Sequence, residues 1–473
     1  MDTPRPENQR SRLERALALV TEVRSGEGTT ALLMTLNIFL ILAAYYLLKP
    51  LREGFMSRIE GWQEIESYIS AITALLLIPT VKAYGRVASR YARRKLISVV
   101  TSFFVSNLVV FYFLLHFDVP YFGILYYVWL GIFNNMVIAQ FWAYGNDIYN
   151  PDQGRRLFPM IQFGGSLGAI LGPAVASRAA HLSAATLMLL AGLILMLCIG
   201  MTNWIDLRPR ARRSAGDVVK AKRPVGGAGG FQLIWRHRYL LYLALLILVL
   251  NWVNSNGEYI LRRMVSDAAD SSVIAQGLSL QTHQGELAGE TFIRYFYADF
   301  QFWQNALVLL IQALLVSRIL KYLGVARSLF IPGLLAVLGY GCMAFLPILM
   351  IVRTAKIAEN ADDYSLMNTL RAALYLPTTR EMKYKAKQAI DTFFVRVGDV
   401  AHAVTVAIAG VLALSAQGFA QLTLCLVAVW LGLAWLLSRE HGKLLSGQER
   451  EAGALEVADS RAAAYARAPQ ADD

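Results

Sequence analysis

The sequence predicts an all-α integral membrane protein with twelve transmembrane helices arranged as two six-helix bundles. Three observations carry this reading: 56% hydrophobic residues against 16% charged ones over 473 positions, repeated apolar stretches, and basic residues held to alternate connections. A water-facing surface needs more charge than this. A spanning helix needs ~20 mostly apolar residues.

Stretches of that kind lie near 31–49, 66–84, 96–115, 120–145, 157–179, 183–204, 238–260, 295–318, 326–345, 347–372, 390–414 and 418–437. The second is followed by Arg86, Arg90, Arg93, Arg94 and Lys95, and the fourth by Arg155 and Arg156. After the sixth come Arg208, Arg210, Arg212, Arg213, Lys220, Lys222 and Arg223; after the eighth, Lys321 and Arg327; after the tenth, Arg380, Lys383, Lys385 and Lys387. The seventh connection, Val265 to Thr291, has no Lys or Arg and carries Asp267, Asp270, Glu286 and Glu290 instead. Positive loops stay in the cytoplasm. The expected protein is therefore multi-pass in a bacterial-type inner (plasma) membrane, with both termini and the central loop inside. The net charge of +12 then reflects topology and anionic headgroups. Because the bases are spread over short loops, they form no nucleic-acid face.

The chain divides into a cytoplasmic arm (1–28), a first bundle (29–205), a basic linker (206–235) with a Gly-rich stretch at 225–230, a second bundle (236–438) and a tail (439–473). The arm lacks the apolar core of a signal peptide. The tail turns charged and Ala-rich, as a short helix fading into disorder does. Cys198, Cys342 and Cys425 fall in separate apolar stretches. Such cysteines are expected to be buried thiols, with neither a disulfide nor a metal site indicated, and no cofactor is expected.

The halves resemble each other weakly. The first stretch ends in Lys49-Pro50-Leu51-Arg52-Glu53 and the seventh in Glu258-Tyr259-Ile260-Leu261-Arg262-Arg263, both in clustered charge. Two related bundles around a central site are the arrangement of major facilitator transporters. The connection from Gly85 to Lys95 has the Gly and basic pattern of that superfamily, without its usual acid.

Ionisable groups inside an apolar stretch cost several kcal/mol unless they pair or line water, so each is a functional candidate. Lys49 and Arg52 flank Pro50; they are read either as facing an anion or as snorkelling to headgroups. Asn251, Asn254 and Glu258 share a polar face of the seventh stretch, and Glu258 stands four residues before Arg262, the better order for an intrahelical pair. Asp147 ends the fourth stretch and Asp299 opens the eighth among aromatics. The tenth holds Arg353, Lys356, Glu359, Asp362, Asp363 and Arg371, and the eleventh Asp391, Arg396, Asp399 and His402. A lipid-facing helix does not carry such charge, so the reading is a water-filled central cavity with cations from several helices. Gly164, Gly165, Gly168 and Gly172 are expected to permit close helix approach.

These residues also carry a resemblance. The run Tyr45-Tyr46-Leu47-Leu48-Lys49-Pro50-Leu51-Arg52-Glu53 is similar to the first-helix signature of the ATP/ADP translocase family of plastids and obligate intracellular bacteria. The likeness continues at Phe141 to Ile148, at Arg155-Arg156-Leu157-Phe158-Pro159, at Glu258 with Arg262, at Tyr297 to Phe300, at Pro377-Thr378 with Glu381, Met382 and Tyr384, and at Lys385 to Asp391. The resemblance implies a major-facilitator-like fold and nucleotide exchange, with Arg52 at the position of the family's functional lysine of helix one and Glu258 at its functional glutamate of helix seven. Leu130 and Asp399 depart from the family, where an acid and a lysine are usual.

The expected function is a secondary transporter that works by alternating access and is not an enzyme. Its partners are the bilayer and a small anionic substrate, a nucleotide or related metabolite. Lys49, Arg52, Asn254, Glu258, Arg262, Arg371 and Arg396 are its expected substrate residues; Asp147, Asp299, Asp391 and Asp399 are its expected gating or coupling residues. The alternatives are a major-facilitator carrier of another solute (a lipid, a drug or a small metabolite) and a non-transporting membrane scaffold. The sequence leaves the oligomeric state open.

Overall fold

The computed structural model describes Glu14 and residues 23–24, 26–90, 93–117, 119–149, 151–178, 182–207, 230–379 and 382–466. Most of the expected N-terminal arm and the core of the basic linker lie outside the described residues. The first sequence half forms α1 (Gly28–Met56), α2 (Trp62–Arg90), α3 (Arg93–Leu114), α4 (Phe122–Ile148), α5 (Pro151–Arg178) and α6 (Ala184–Leu207). The second opens with α7 (Gly230–Arg236), α8 (Arg238–Ala275), α9 (His283–Leu314), α10 (Val316–Ser328) and α11 (Phe330–Phe345). Then come α12 (Leu349–Asp362) and α13 (Asn368–Leu374), joined by a π turn (Asp363–Met367). The short α14 (Lys387–Ala389) lies between two further π turns (Met382–Ala386 and Ile390–Phe394) and leads into α15 (Val395–Val411) and α16 (Ala416–Ala466).

Among the described residues, eight helices are long and apolar enough to cross a bilayer, or nine if α9 and α10, bent by 73°, count as one span. The apolar helix α11 is shorter. The α12–α13 segment falls short on composition, since Arg353, Lys356, Glu359, Asp362, Asp363 and Arg371 crowd it.

Three expectations are corrected. The acidic stretch 265–291 is largely helical: α8 runs to Ala275 and α9 begins at His283, leaving a short turn in which Gly277 takes a positive φ. The tail continues α16 as far as Ala466. Of the cysteines only Cys198 is buried, while Cys342 and Cys425 are exposed. Apolar neighbours in sequence do not distinguish an inward helix face from a lipid-facing one.

Close packing begins with glycine. Gly164, Gly168 and Gly172 recur one helical turn apart on α5, and a Cβ there would strike the carbonyl oxygens of Thr35, Phe39 and Ala43 on α1. The two backbones therefore lie nearly in contact, as small residues at four-residue spacing allow. Asn37 on α1 donates to Thr202 on α6 at 2.9 Å. The buried hydrophobic residues fall into two clusters. One is drawn from α1 and α3–α6 with Val23 and Ala298; the other comes from the second half with Met56, Trp62 and Tyr127. Between them lies a polar seam.

Candidate functional site

That seam encloses a cavity of about 290 Å³. This is at the low end of the ~300–1,000 Å³ usual for small-molecule sites. The first half supplies Tyr45, Lys49, Arg52 and Glu53 from the last turns of α1, Glu66, Ser67 and Ser70 from α2, and Tyr127 from α4. The second supplies Asn254, Ser255, Glu258 and Arg262 from α8, Tyr297, Phe300, Gln301 and Gln304 from α9, Asn360 from α12, Tyr364, and His402 from α15. Helical spacing explains the set. Tyr45, Lys49 and Arg52 recur at three- and four-residue steps on α1, as do Asn254, Glu258 and Arg262 on α8.

Three cations and three carboxylates line the space. Arg52 is paired with Glu53, lies 3.7 Å from Glu66, and stacks its guanidinium 4.4 Å from the Tyr127 ring centroid. Arg262 reaches from α8 to α2, 3.3 Å from Glu66 and donating to the Ser67 hydroxyl at 3.1 Å. Glu258 does not pair with Arg262 along its own helix. It accepts from Asn360 Nδ2 at 2.8 Å and lies 3.7 Å from Lys356. Lys49 differs from the others: among the described residues it has no ion pair, and its ammonium sits 5.5 Å from the Tyr46 ring centroid. Lys49 and Arg52 both line the cavity.

Behind the wall, Lys356 is fully buried. Its Nζ donates to Asn254 Oδ1 at 2.6 Å and to Glu359 at 2.9 Å, and the Tyr340 hydroxyl lies 3.1 Å from Glu359. A second chain runs from His402 Nδ1 to Asn256 Oδ1 at 2.7 Å, and from Asn256 Nδ2 to the Thr423 hydroxyl at 3.2 Å. Since Asn256 presents its oxygen, His402 Nδ1 carries the proton and Nε2 is an acceptor. That Nε2, Gln301 Oε1 and Asn360 Oδ1 are buried cavity-wall acceptors without a protein partner among the described residues.

The other expected site residues do not line the cavity. Arg371 pairs with Asp363 at 2.7 Å, and Arg396 pairs with Asp399 at 3.0 Å, with Asn251 completing the Asp399 shell at 2.7 Å. Asp299 is paired with Arg353. Asp147 ends α4, and Asp391 is exposed on the π turn before α15. Leu130 is buried beside Trp129 and Phe133 in the first-half core, so no charge stands there. Glu66, Gln301, Gln304 and Asn360 are cavity residues that the sequence reading does not single out. Among the described residues no group of His, Cys, Asp and Glu is arranged to hold a metal ion.

A helical membrane protein with a charged cavity walled by both sequence halves has the architecture of solved transporters. The chain is similar to a mutant peptide transporter POT in complex with sulfate (12% identity, TM-score 0.60, covering 91% of this chain and 99% of that one). It is likewise similar to the nucleoside transporter NupG (10%, 0.53, 86% and 98%) and to the human organic anion transporter MFSD10 (14%, 0.53, 87% and 100%). At such identities the likeness shows the fold, which is major-facilitator-like. The model of the TLC ATP/ADP transporter family matches residues 119–441. The chain belongs to that family, and it is a membrane transporter. No curated protein sequence matches it.

Proposed function

We propose that this chain exchanges nucleotides of the ATP/ADP type, or moves a related anionic metabolite, by alternating access. In this reading twelve spanning helices form two six-helix bundles in a bacterial-type inner membrane, with both termini cytoplasmic. The carrying observation is that cations, aromatic rings and unpartnered acceptors line one cavity. Lys49, without an ion pair among the described residues, and Arg52 offer cations from the first half. Aromatic rings stand among them, with Tyr127 over Arg52, and the acceptors of Gln301, Asn360 and His402 come from the second half. A nucleotide has both counterparts: phosphate oxygens for the cations, and a flat base with N–H donors for rings and acceptors. Lys49, Arg52, Asn254, Glu258 and Arg262 would contact substrate, while Arg371 and Arg396 serve local pairs. Exchange needs no hydrolysis.

The balance of three lining carboxylates against three lining cations supports a second reading, a zwitterionic or neutral solute. Proteoliposome uptake separates the two. Labelled ADP uptake that depends on internal nucleotide supports the first reading. Uptake of zwitterions with none of nucleotides supports the second. A folded protein stabilised by neither class would point to a scaffold without transport.

A further inference from the structure

A second cavity, of about 200 Å³, lies where α1 and α3 end, apart from the central one. A single water needs only ~10–15 Å³ of such space. Phe55, Ile59, Leu114, Leu115, Val119 and Phe122 give it an apolar wall. Two charged side chains also line it, Arg58 from the first half and Glu286 from the second. Arg58 donates from Nε and Nη2 to Glu290 Oε2, at 2.8 and 2.5 Å, while its Nη1 has no acceptor among the described residues. Glu286 is exposed one helical turn before Glu290 on α9, so the two acids share a face. Its carboxylate has no ion pair or hydrogen bond among the described residues, which leaves a donor and an acid both available to a ligand in one apolar-walled space.

The cavity stands at the level of lipid headgroups. The candidate spans α3 and α4 end and begin beside it, at Leu114 and Phe122. In the connection between them Phe117 is 72% exposed and Tyr121 67%. Exposed aromatic rings at span ends mark the boundary of membrane and water. Along α3, Phe103, Val110 and Phe113 are exposed at helical spacing, an apolar stripe that leads from the spanning region up to the cavity.

We propose that this cavity is a headgroup site for a zwitterionic aminophospholipid of the phosphatidylethanolamine class, and that the bound lipid bridges the two sequence halves. The phosphate accepts from Arg58 Nη1, a charge-assisted bond. The primary ammonium donates to Glu286. The acyl chains follow the apolar stripe of α3. The charge pattern selects among headgroups: a choline ammonium has no N–H to donate, and a headgroup that is only anionic brings nothing for Glu286 and is repelled by it. Because Arg58 and Glu286 belong to different halves, the lipid adds to the tie that Arg58 makes with Glu290. A ligand that contacts both partners favours the arrangement in which the ends of α1 and α9 stand together.

The test needs no substrate, so its outcome is independent of nucleotide uptake. Purified protein in detergent is given equal amounts of phosphatidylethanolamine, phosphatidylcholine and phosphatidylglycerol of one acyl composition, and native mass spectrometry reads the lipid retained. The first should be retained at least about tenfold over each of the others. Glu286→Gln, at an exposed residue that holds no partner, should bring phosphatidylethanolamine and phosphatidylcholine to near equality. Leu115→Trp, which fills the cavity with both charges in place, should lower retention of the favoured lipid. Equal retention of all three lipids, a preference for the anionic one, or an undiminished preference in Glu286→Gln overturns the proposal. Glycerophosphoethanolamine, the headgroup without tails, should compete poorly; competition as strong as that of the lipid would make the ligand a soluble zwitterion and overturn the lipid assignment. Bridging is read from spin labels at Glu60→Cys and Gln284→Cys, with Cys198, Cys342 and Cys425 replaced by Ala. Phosphatidylethanolamine should enlarge the short-distance population relative to phosphatidylcholine, and identical distance distributions in the two lipids would contradict the bridge.

Discussion

Arg262 in the second sequence half lies 3.3 Å from Glu66 in the first, although it stands one helical turn from the acid Glu258 on its own helix. The preference for the distant acid ties the two halves at one end of the cavity. Two more bonds do the same. The Tyr259 hydroxyl donates to Glu64 at 2.7 Å, and Arg58 meets Glu290 at 2.5 Å. These polar ties lie beside apolar packing between the halves, with Ala298 in the first-half cluster and Met56, Trp62 and Tyr127 in the second-half one.

Lys49 is expected to be a residue of binding and not of stability. With no ion pair among the described residues, its loss strands no partner acid. Lys49→Ala should lower uptake at least about tenfold, which corresponds to ~1.4 kcal/mol, while the melting curve changes by the ~0.5 kcal/mol or less of an unpaired site. Kinetics of uptake beside a thermal melt would check both halves of this statement.

Lys356 should behave in the opposite way. Its removal leaves Glu359 buried without its cation and strips Asn254 of a donor. Breaking a buried pair from one side costs ~3–5 kcal/mol. Lys356→Met should therefore lower the melting temperature markedly. The double variant with Glu359→Gln should recover part of the loss, a coupling that a double-mutant cycle measures directly.

Helix approach gives a third expectation. At Gly168 a Cβ would meet Phe39 backbone and lie 3.1 Å from the Ala43 nitrogen, whereas at Gly200 nothing stands within 4 Å. Gly168→Ala should cost ~1–3 kcal/mol by overpacking. Gly200→Ala should be neutral or stabilising by ~0.5–1 kcal/mol, as alanine is the better helix former. Equal melting curves for the two variants would contradict the packing described for α1 and α5.

Acid sensitivity has one identifiable source outside the spans. Burial pushes the Glu27 carboxyl up, but hydrogen bonds from Arg156, the Arg24 backbone and Gln153, together with the Arg156 charge, outweigh it and hold the group below its ordinary 4.5. A group depressed in the folded state adds stability above its unfolded value and loses it as pH falls through its folded one. Unfolding followed from neutral pH down through that range should show this loss, and Glu27→Gln should flatten it. The Gln variant should also be less stable at neutral pH, because the charge pairing with Arg156 at 2.9 Å is gone.

The cavity is legible in the sequence where charge meets apolar context. Lys49, Arg52, Glu258 and Arg262 stand out because an ionisable group inside a spanning run must pair or meet water. Glu66 escapes because it lies at the edge of its stretch, where an acid at the headgroups is ordinary. Gln301, Gln304 and Asn360 are uncharged and raise no alarm. Arg371 and Arg396 give the same signal as the cavity cations, yet they turn to Asp363 and Asp399. Helical spacing shows which residues share a face, not which way that face looks. The same gap explains the exposed Cys342 and Cys425, while the charge in α12, the shortness of α11 and the bend between α9 and α10 each remove a span that the loop pattern predicts.

The most direct test is uptake of labelled ATP and ADP into proteoliposomes that are empty or preloaded with each nucleotide, beside Arg52→Ala protein of equal folded yield. The account predicts uptake that requires internal nucleotide and is lost in Arg52→Ala. Nucleotide-independent behaviour of the folded protein, or full uptake by Arg52→Ala, would contradict it.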